Sequence, residues 1–335
     1  MNATMSLDEK KHYPVMLDQI LSIISPQHGG SFIDCTFGAG GYSEAILNYP
    51  NTKVFAIDMD DIAEDRAKNL LKKFPNRFTF FKNKFSNLNK IIDADLNPRA
   101  IIFDLGLSSL QLSDDKRGFS FKSKNSLSME MGINNRSTFD VINTLDKKYL
   151  ASIIKILGEE KDGKIIANKI AKYRVEKPIE TSEELASIVI SAKKKYNKYK
   201  KNPATKTFQA IRIFVNQEMN ELISGLIAAT ELLGKEGLLI VVSFHSLEDK
   251  IVKNFFNLCF NSNKNPSRYL PLHNKNITLF NFFSKKPLTP NKEEILQNIR
   301  SRSAKLRYAV RNNNTFFYPV NFKKKFESYF RMESI

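Results

Sequence analysis

Three aspartates each close a short apolar run, and the first stands against a glycine-rich turn. Asp34 follows Phe32-Ile33, Asp58 follows Val54-Phe55-Ala56-Ile57, and Asp104 follows Ala100-Ile101-Ile102-Phe103. After Cys35 comes Thr36-Phe37-Gly38-Ala39-Gly40-Gly41, and a helical pattern then runs through Tyr42, Ser43, Glu44, Ala45, Ile46 and Leu47. Strand, glycine turn and helix open a nucleotide-binding α/β unit. Glycines let a ligand lie against the backbone and permit turns with positive φ. A carboxylate at Asp58 can accept both hydroxyls of a ribose, which serves NAD and S-adenosylmethionine alike. The spacing G-x-G-G lacks the third glycine of the dinucleotide fingerprint G-x-G-x-x-G. It favours S-adenosylmethionine, whose amino-acid end needs close backbone and an acid such as Asp34 for its ammonium. The bland reading is a tight turn with no ligand.

These residues need a sheet to bring them together. Residues 31–35, 54–57, 78–81, 100–103 and 238–242 read as buried strands, and residues 60–73 as a helix after the second. In an open parallel sheet ligands bind outside the carboxyl ends of the strands, so Asp34, Asp58 and Asp104 share one edge. Phe85, after the third strand, suits either an adenine platform or the core. His245 closes the fifth strand at its junction with a helix over 247–256 and faces the same edge. It suits either a catalytic or a structural role. An amphipathic helix over 17–24 precedes the first strand, and 205–233 read as one long helical stretch.

From about residue 117 to 202 strand signals vanish. Ser137 with Asp140, Thr181 with Glu184 and, later, Ser246 with Asp249 fit the capping box that starts a helix. Gly158 fits the close of a helix over 147–157. The expected organisation is α/β: residues 1–115 and 205–335 form the sheet domain, and 116–204 a helical insert. Residues 1–11 read as a polar, disordered tail. The run Lys193-Lys194-Lys195-Tyr196-Asn197-Lys198-Tyr199-Lys200-Lys201 in that insert suits either RNA contact or a solvated linker. Residues 261–284 read as Asn-rich and irregular.

With 335 residues and 42% hydrophobic content the chain can bury a large core. No apolar run reaches membrane-spanning length and no signal-peptide pattern opens the sequence, so a cytoplasmic location without membrane contact is expected. Cys35 and Cys259 are too few for a zinc site, and the four histidines are scattered. Reduced structural thiols and no metal are expected. A net charge of +17 suggests a polyanionic partner, most simply nucleic acid. A lysine-rich composition produces the same excess without one.

Taken in order, HYPVMLDQIL, DCTFGAGGYSEAIL, FDLGLSSLQL with RGFSF, EKPIETSEELA, NPATKTFQAIRIFVNQE, VVSFHSLEDKIVKNFF and SRSAKLR mark the chain. From about residue 12 to 309 it resembles the bacterial small-subunit ribosomal RNA cytosine-N4 methyltransferases, the MraW family. The resemblance implies a Rossmann-like methyltransferase fold with an inserted helical domain, and S-adenosylmethionine as methyl donor. It implies methylation of a decoding-region (P-site) cytidine of 16S rRNA, within the small subunit. It places the cofactor at Gly40, Gly41, Tyr42, Asp58, Phe85, Asp104 and Gln111. Four departures stand out: Tyr42 for a usual histidine, Leu110 for a proline, Glu130 for an arginine, and Lys161-Asp162-Gly163 for an arginine-aromatic helix start. The first implies a cofactor contact at residue 42 through backbone alone, and the third reverses a charge toward RNA.

The chemistry expected of such a site is in-line placement of the amine against the methyl, plus an acceptor for an amine proton. Asp104 is the expected ligand near the reacting centre, with His245 and the Ser108-Ser109 loop as candidates on the amine side. The D-P-P-Y motif of many amino-methylating enzymes is absent, and DLGLSS occupies its place. The competing classes are an NAD-dependent oxidoreductase and an RNA-binding module without catalysis.

Overall fold

Runs of Val, Ile, Phe and Ala without polar alternation belong to strands covered on both faces. The computed structural model, which describes residues 14–108, 111–112, 114–133, 136–193, 202–260 and 278–335, places seven strands in one sheet. They are β1 (Gly30–Asp34), β2 (Thr52–Asp58), β3 (Phe78–Lys82), β4 (Ala100–Asp104), β5 (Leu238–Ser243), β6 (Phe280–Phe283) and β7 (Lys305–Arg311). Their order is β3-β2-β1-β4-β5-β7-β6. The first five are parallel, and β7 runs antiparallel between β5 and β6. Chain order reverses between neighbours β1 and β4, and such a switch point opens a crevice at the strands' carboxyl ends. Asp34 and Asp104 stand at that reversal, and Asp58 ends the next strand along. The fold is the Rossmann-like α/β architecture expected of the sequence.

Side-chain alternation along each strand sorts the core into two layers. Phe32, Ile102 and Val242 pack with Ile20, Ile46 and Ala67. Those three come from helices α1 (Leu17–Ile24), α2 (Gly41–Leu47) and α3 (Asp61–Lys73). A short helix α4 (Leu88–Ile91) follows β3. Between β4 and β5 lie α5 (Thr138–Thr144), α6 (Lys147–Ile156), α7 (Gly163–Glu176), α8 (Ser182–Ala192), α9 (Thr205–Asn216) and α10 (Glu218–Leu232). After β5 comes α11 (Ser246–Phe260), and α12 (Lys292–Gln297) precedes β7. Two last helices, α13 (Val320–Lys325) and α14 (Glu327–Glu333), follow β7. The second layer joins Ile101, Phe103 and Val241 to Leu226 of α10 and Phe255 of α11. The same apolar cluster continues through Ile153, Ile166 and Leu185 of α6, α7 and α8, so these helices share a core with the sheet.

Thr181 and Glu184 form a complete capping box at α8, and Ser137 accepts from the Asp140 N–H at α5. Ser246 and Asp249 do not form one. Asp249 pairs with Arg307 at 2.7 Å and Lys305 at 3.1 Å, and the Ser246 hydroxyl bonds Glu159. Glu248 takes over at the start of α11, accepting from Phe244 N at 2.8 Å and His245 N at 3.2 Å. After α6 it is Glu159, φ 49°, that turns left-handed, not Gly158.

The stretch 205–233 is two helices, because Gln217 adopts φ 53° between α9 and α10. Asn216 fixes that corner. Its Nδ2 donates to Met129 O at 2.8 Å, and its Oδ1 accepts from Met131 N at 2.7 Å. Strand β6 lies within the stretch expected to be irregular, its buried Phe280 and Phe283 flanking exposed Asn281 and Phe282. Lys193 is not a surface cation: it is buried, with Nζ 2.5 Å from Glu160 Oε2 and 2.6 Å from Pro203 O. The rest of its lysine–tyrosine run, the tail 1–11, Ser109 and Leu110 lie outside the described residues.

Candidate active site

Each strand-end acid meets a different environment. Asp34 is buried, and its Oδ2 accepts from Ser43 Oγ at 2.7 Å while Oδ1 accepts from Thr36 N at 3.3 Å. Burial pushes its carboxyl up to about 6, against the pull of those two bonds. It is not among the residues that line the cavity, and its two bonds pin the glycine turn to α2. Asp58 lines the cavity, with Oδ2 accepting from Gly38 N at 2.7 Å and Oδ1 from Asp60 N at 2.9 Å. Burial also pushes its carboxyl up to about 6.

Asp104 lines the same cavity, and its Oδ1 is buried without a hydrogen-bond partner. Its backbone N–H donates to Thr36 Oγ1 at 2.6 Å, which ties β4 to the glycine turn. Burial, then the negative charge of Asp34, pushes its carboxyl up to about 8, while the neighbouring Tyr42 phenol pulls it back. A buried acceptor without a partner calls for a reason, such as strain, a catalytic role or a bound water or ion.

The glycine turn divides its labour. Gly38 and Gly41 line the cavity, whereas Gly40 does not. Gly40 sits at φ 82°, and a Cβ there would stand 2.8 Å from the Phe37 ring. The turn itself therefore demands glycine at this position. Tyr42 lines the cavity, and its buried phenol donates to Val15 O. The tyrosine thereby fastens the segment before α1 to the glycine turn.

Phe85 lines the cavity with its ring edge-on to Phe103, centroids 5.3 Å apart. Gly225 of α10 leaves the space for it: a Cβ there would stand 2.5 Å from the Phe85 ring. Gln111 is buried on the cavity wall with both ends engaged. Its Nε2 donates to Asp60 Oδ2 at 2.7 Å, and its Oε1 accepts from Ser108 N at 2.9 Å. Arg117 reaches the same Asp60 at 2.7 Å, so Gln111 joins a network that ties the loop after β4 to the start of α3.

His245 is not on the cavity wall. Its Nε2 lies 2.9 Å from Glu248 Oε1, and Glu248 does line the cavity. Burial alone pushes the Glu248 carboxyl up, but His245, Arg212 and the Phe244 N–H together hold it below its usual range. The sequence reading missed this wall. It holds Asn216 and Glu218 from the corner between α9 and α10, with Glu248 from α11. Arg212 grips Glu218 with Nε and Nη2, each 2.7 Å from a carboxylate oxygen. The signal lay in N-P-A-T-K-T-F-Q-A-I-R-I-F-V-N-Q-E, where Arg212, Asn216 and Glu218 interrupt an apolar helix.

Among the described residues one group could hold a cation: Glu218, His245 and Glu248, whose ligand atoms lie within 4.8 Å of one another. The Arg212 fork already answers Glu218. Glu130 turns its carboxylate inward, accepting from Thr138 N at 2.8 Å and Ser128 Oγ at 3.0 Å, rather than presenting a charge outward.

The geometry is thus one cavity, with the buried and unpartnered Oδ1 of Asp104 among its lining residues. The cavity's lining includes Gly38, Asp58, Phe85, Asp104, Gln111, Asn216, Glu218 and Glu248, and Glu221 of α10 accepts from Ser86 Oγ at 3.0 Å beside Phe85. Similar sequences share most of this chain. A protein of Ehrlichia canis (strain Jake) named ribosomal RNA small subunit methyltransferase H is 46% identical over 300 residues, 88% of this chain and 98% of its own. A protein of the same name from Wolbachia sp. subsp. Drosophila simulans (strain wRi) is 44% identical over 88% of this chain and 97% of its own. One from Orientia tsutsugamushi (strain Boryong) is 41% identical over 90% and 98%. The model of the MraW methylase family matches residues 9–312, a span that contains every cavity residue described above, and the chain belongs to that family.

Proposed function

We infer that the protein methylates N4 of one cytidine in the P-site decoding region of 16S rRNA, with S-adenosylmethionine as methyl donor. The observation that carries this reading is the buried, unpartnered Oδ1 of Asp104, a residue that lines a cavity with Asp58, Phe85, Gln111, Glu218 and Glu248. The names of the relatives and the charge of +17 support an RNA acceptor.

The residues suit the donor. Asp58 offers carboxylate oxygens to the ribose hydroxyls, and Phe85 offers an apolar face to the adenine. The backbone at Gly38 and Gly41 leaves room beside the amino-acid end. S-adenosylmethionine supplies, when bound, an electrophilic methyl on a positively charged sulfur. The chain's own work is then placement and proton handling. The lone pair of a cytosine amine is spread into its ring, so the amine needs alignment and an acceptor for a proton as its nitrogen becomes tetrahedral. Asp104 Oδ1 is the acceptor. Glu218, held by Arg212, and Glu248, held by His245, shape the face toward the base, which must leave any stack to enter. His245 acts through Glu248. The helical insert, residues 116–204, serves to recognise the RNA around the target.

The test is methyl transfer from labelled S-adenosylmethionine to small ribosomal subunits lacking their modifications, with product nucleosides identified by mass spectrometry. N4-methylcytidine at one decoding-region site is the expected outcome. A methylated base other than cytosine would overturn the substrate reading, and failure to bind the donor would overturn the cofactor reading.

A further inference from the structure

The corner that carries Asn216 and Glu218 is held from behind by a segment outside the family match. Residues 313–335 follow the matched span 9–312, yet Phe322, Phe326 and Tyr329 are buried in the core shared with α10. Glu333 has no exposed surface at all. Its Oε1 accepts from Met219 N at 3.0 Å, and its Oε2 accepts from Asn220 N at 2.9 Å. These are first-turn N–H groups of α10, which the helix itself leaves unpaired. Gln217, at the cap position, makes no side-chain cap bond, so Glu333 supplies the cap from a distant part of the chain. Arg136 completes the clasp. Its Nη2 donates to Glu333 O and its Nη1 to Phe214 O, both at 3.1 Å, and its guanidinium lies 4.3 Å from the centroid of the Phe214 ring.

The front of the same corner is cavity wall. Asn216, Glu218 and Met219 line the cavity, and Met219 is also one of the residues whose N–H Glu333 holds. Burial pushes the Glu333 carboxyl up to about 8, against the pull of its two backbone bonds. A local side-chain cap needs an extended backbone at the cap position, and Gln217 is instead left-handed at φ 53°. What Glu333 adds over such a cap is a tie to a second, separately packed helix.

We propose that Glu333 is a positioning residue for methyl transfer: with Arg136 it locks the corner between α9 and α10, and so fixes Glu218 and Asn216 toward the methyl acceptor. The proposal rests on the reading of the cavity as a methyl-transfer site. It predicts a larger defect in turnover than in donor binding, because Asp58 and Gln111 belong to other elements, the end of β2 and the loop after β4.

The experiment compares wild type with Glu333→Ala, Glu333→Gln and Phe326→Leu in methyl transfer to small subunits lacking their modifications. Phe326→Leu loosens the same segment without touching the corner. Glu333→Ala is expected to lower kcat at least tenfold, with the donor Kd within threefold of wild type and faster amide exchange at Met219 and Asn220. Glu333→Gln, which keeps one acceptor oxygen but turns an amide NH2 toward the second backbone N–H, is expected to recover kcat in part, above Glu333→Ala and below wild type. Phe326→Leu is expected to lower the melting temperature with kcat unchanged. Wild-type kcat in Glu333→Ala would overturn the proposal. So would equal kcat losses in Glu333→Ala and Phe326→Leu at matched melting temperatures, which would reduce Glu333 to a stabilising cap. A wild type that binds donor but transfers nothing would overturn the functional reading and this proposal with it.

Discussion

The oxygen that Asp104 leaves open has two consequences that can be measured. A carboxyl pushed up to about 8 is mostly protonated at neutral pH, and only its ionised form accepts a proton. kcat/KM for S-adenosylmethionine, which reports the donor-free enzyme, is therefore expected to rise about tenfold per pH unit below pH 8 and to level off above it. A bound sulfonium favours the carboxylate, so the inflection in kcat falls at lower pH than that in kcat/KM. A stopped or rapid-quench pH series reads both, and a flat profile would remove Asp104 as the acceptor. Asp58→Ala is expected to weaken donor binding at least about tenfold, the worth of one hydrogen bond to a charged group, with the melting transition intact. Isothermal titration measures it. At this scale the sequence was legible where chemistry and fold make the same demand. Asp58 and Asp104 follow buried strands and face the ligand edge. Asp34 follows one too, but Ser43, nine residues on, folds back to its carboxylate, and it does not line the cavity. Nothing in the order of residues announces that bond, nor that Tyr42 gives its hydroxyl to Val15.

Helices and strands were legible where one pattern dominates and obscure where a distant residue decides. The four apolar runs before Asp34, Asp58, Lys82 and Asp104 could hardly be anything but buried strands, and α1 ends where its periodicity ends. The break at Gln217 has no glycine or proline to mark it. It is imposed by Asn216 bonding to Met129 and Met131 from another part of the chain. The start of α11 was misread because Glu248 and Asp249 are adjacent, and only packing decides which acid caps and which pairs with Arg307. Between elements, Gly225 of α10 is the sharpest test. Alanine is the better helix former by up to about 1 kcal/mol. Here its methyl would stand 2.5 Å from the Phe85 ring and 3.3 Å from Phe103. Gly225→Ala is expected to destabilise the fold by about 1–3 kcal/mol through overpacking, and to weaken donor binding by displacing Phe85. Denaturant unfolding and donor titration on the same sample measure the two effects.

Across the whole molecule the buried acids add up to a pH dependence of stability. Asp34 and Asp58 are pushed up to about 6, and Asp104 and Glu333 to about 8. Unfolded, each titrates near 4, so between about pH 4 and 8 the native state holds more protons than the unfolded chain. Acids held low, Asp60, Glu160, Glu248 and Asp249 among them, oppose this near pH 4, so stability of the ligand-free protein is expected to fall as pH rises from about 5.5 through 6 toward 8. Urea midpoints at pH 5.5 and pH 8 check this, and a higher midpoint at pH 8 would contradict it. The same molecule carries a charge of +17, so RNA affinity is expected to fall steeply and linearly on a log–log plot as salt is raised. Filter binding across a salt series gives the slope. The continuity of the apolar cluster from the sheet into α6, α7 and α8 was not legible, because a sequence shows which faces are apolar but not which faces meet.

Strands β4 and β5 are partners in the middle of the sheet, with Ala100 opposite Leu238 and Asp104 opposite Val242, yet residues 105–237 separate them along the chain. Their pairing is a contact of long sequence separation, and chains dominated by such contacts fold slowly. Loop closure costs free energy that grows only logarithmically with length, and prior formation of the intervening helices shortens the span to be closed. The order of events that follows is local helices first, then β1 with β2 and β3, and the β4–β5 seam last. The crevice between β1 and β4 would then acquire its far side late, as a product of the slowest step in refolding rather than its nucleus.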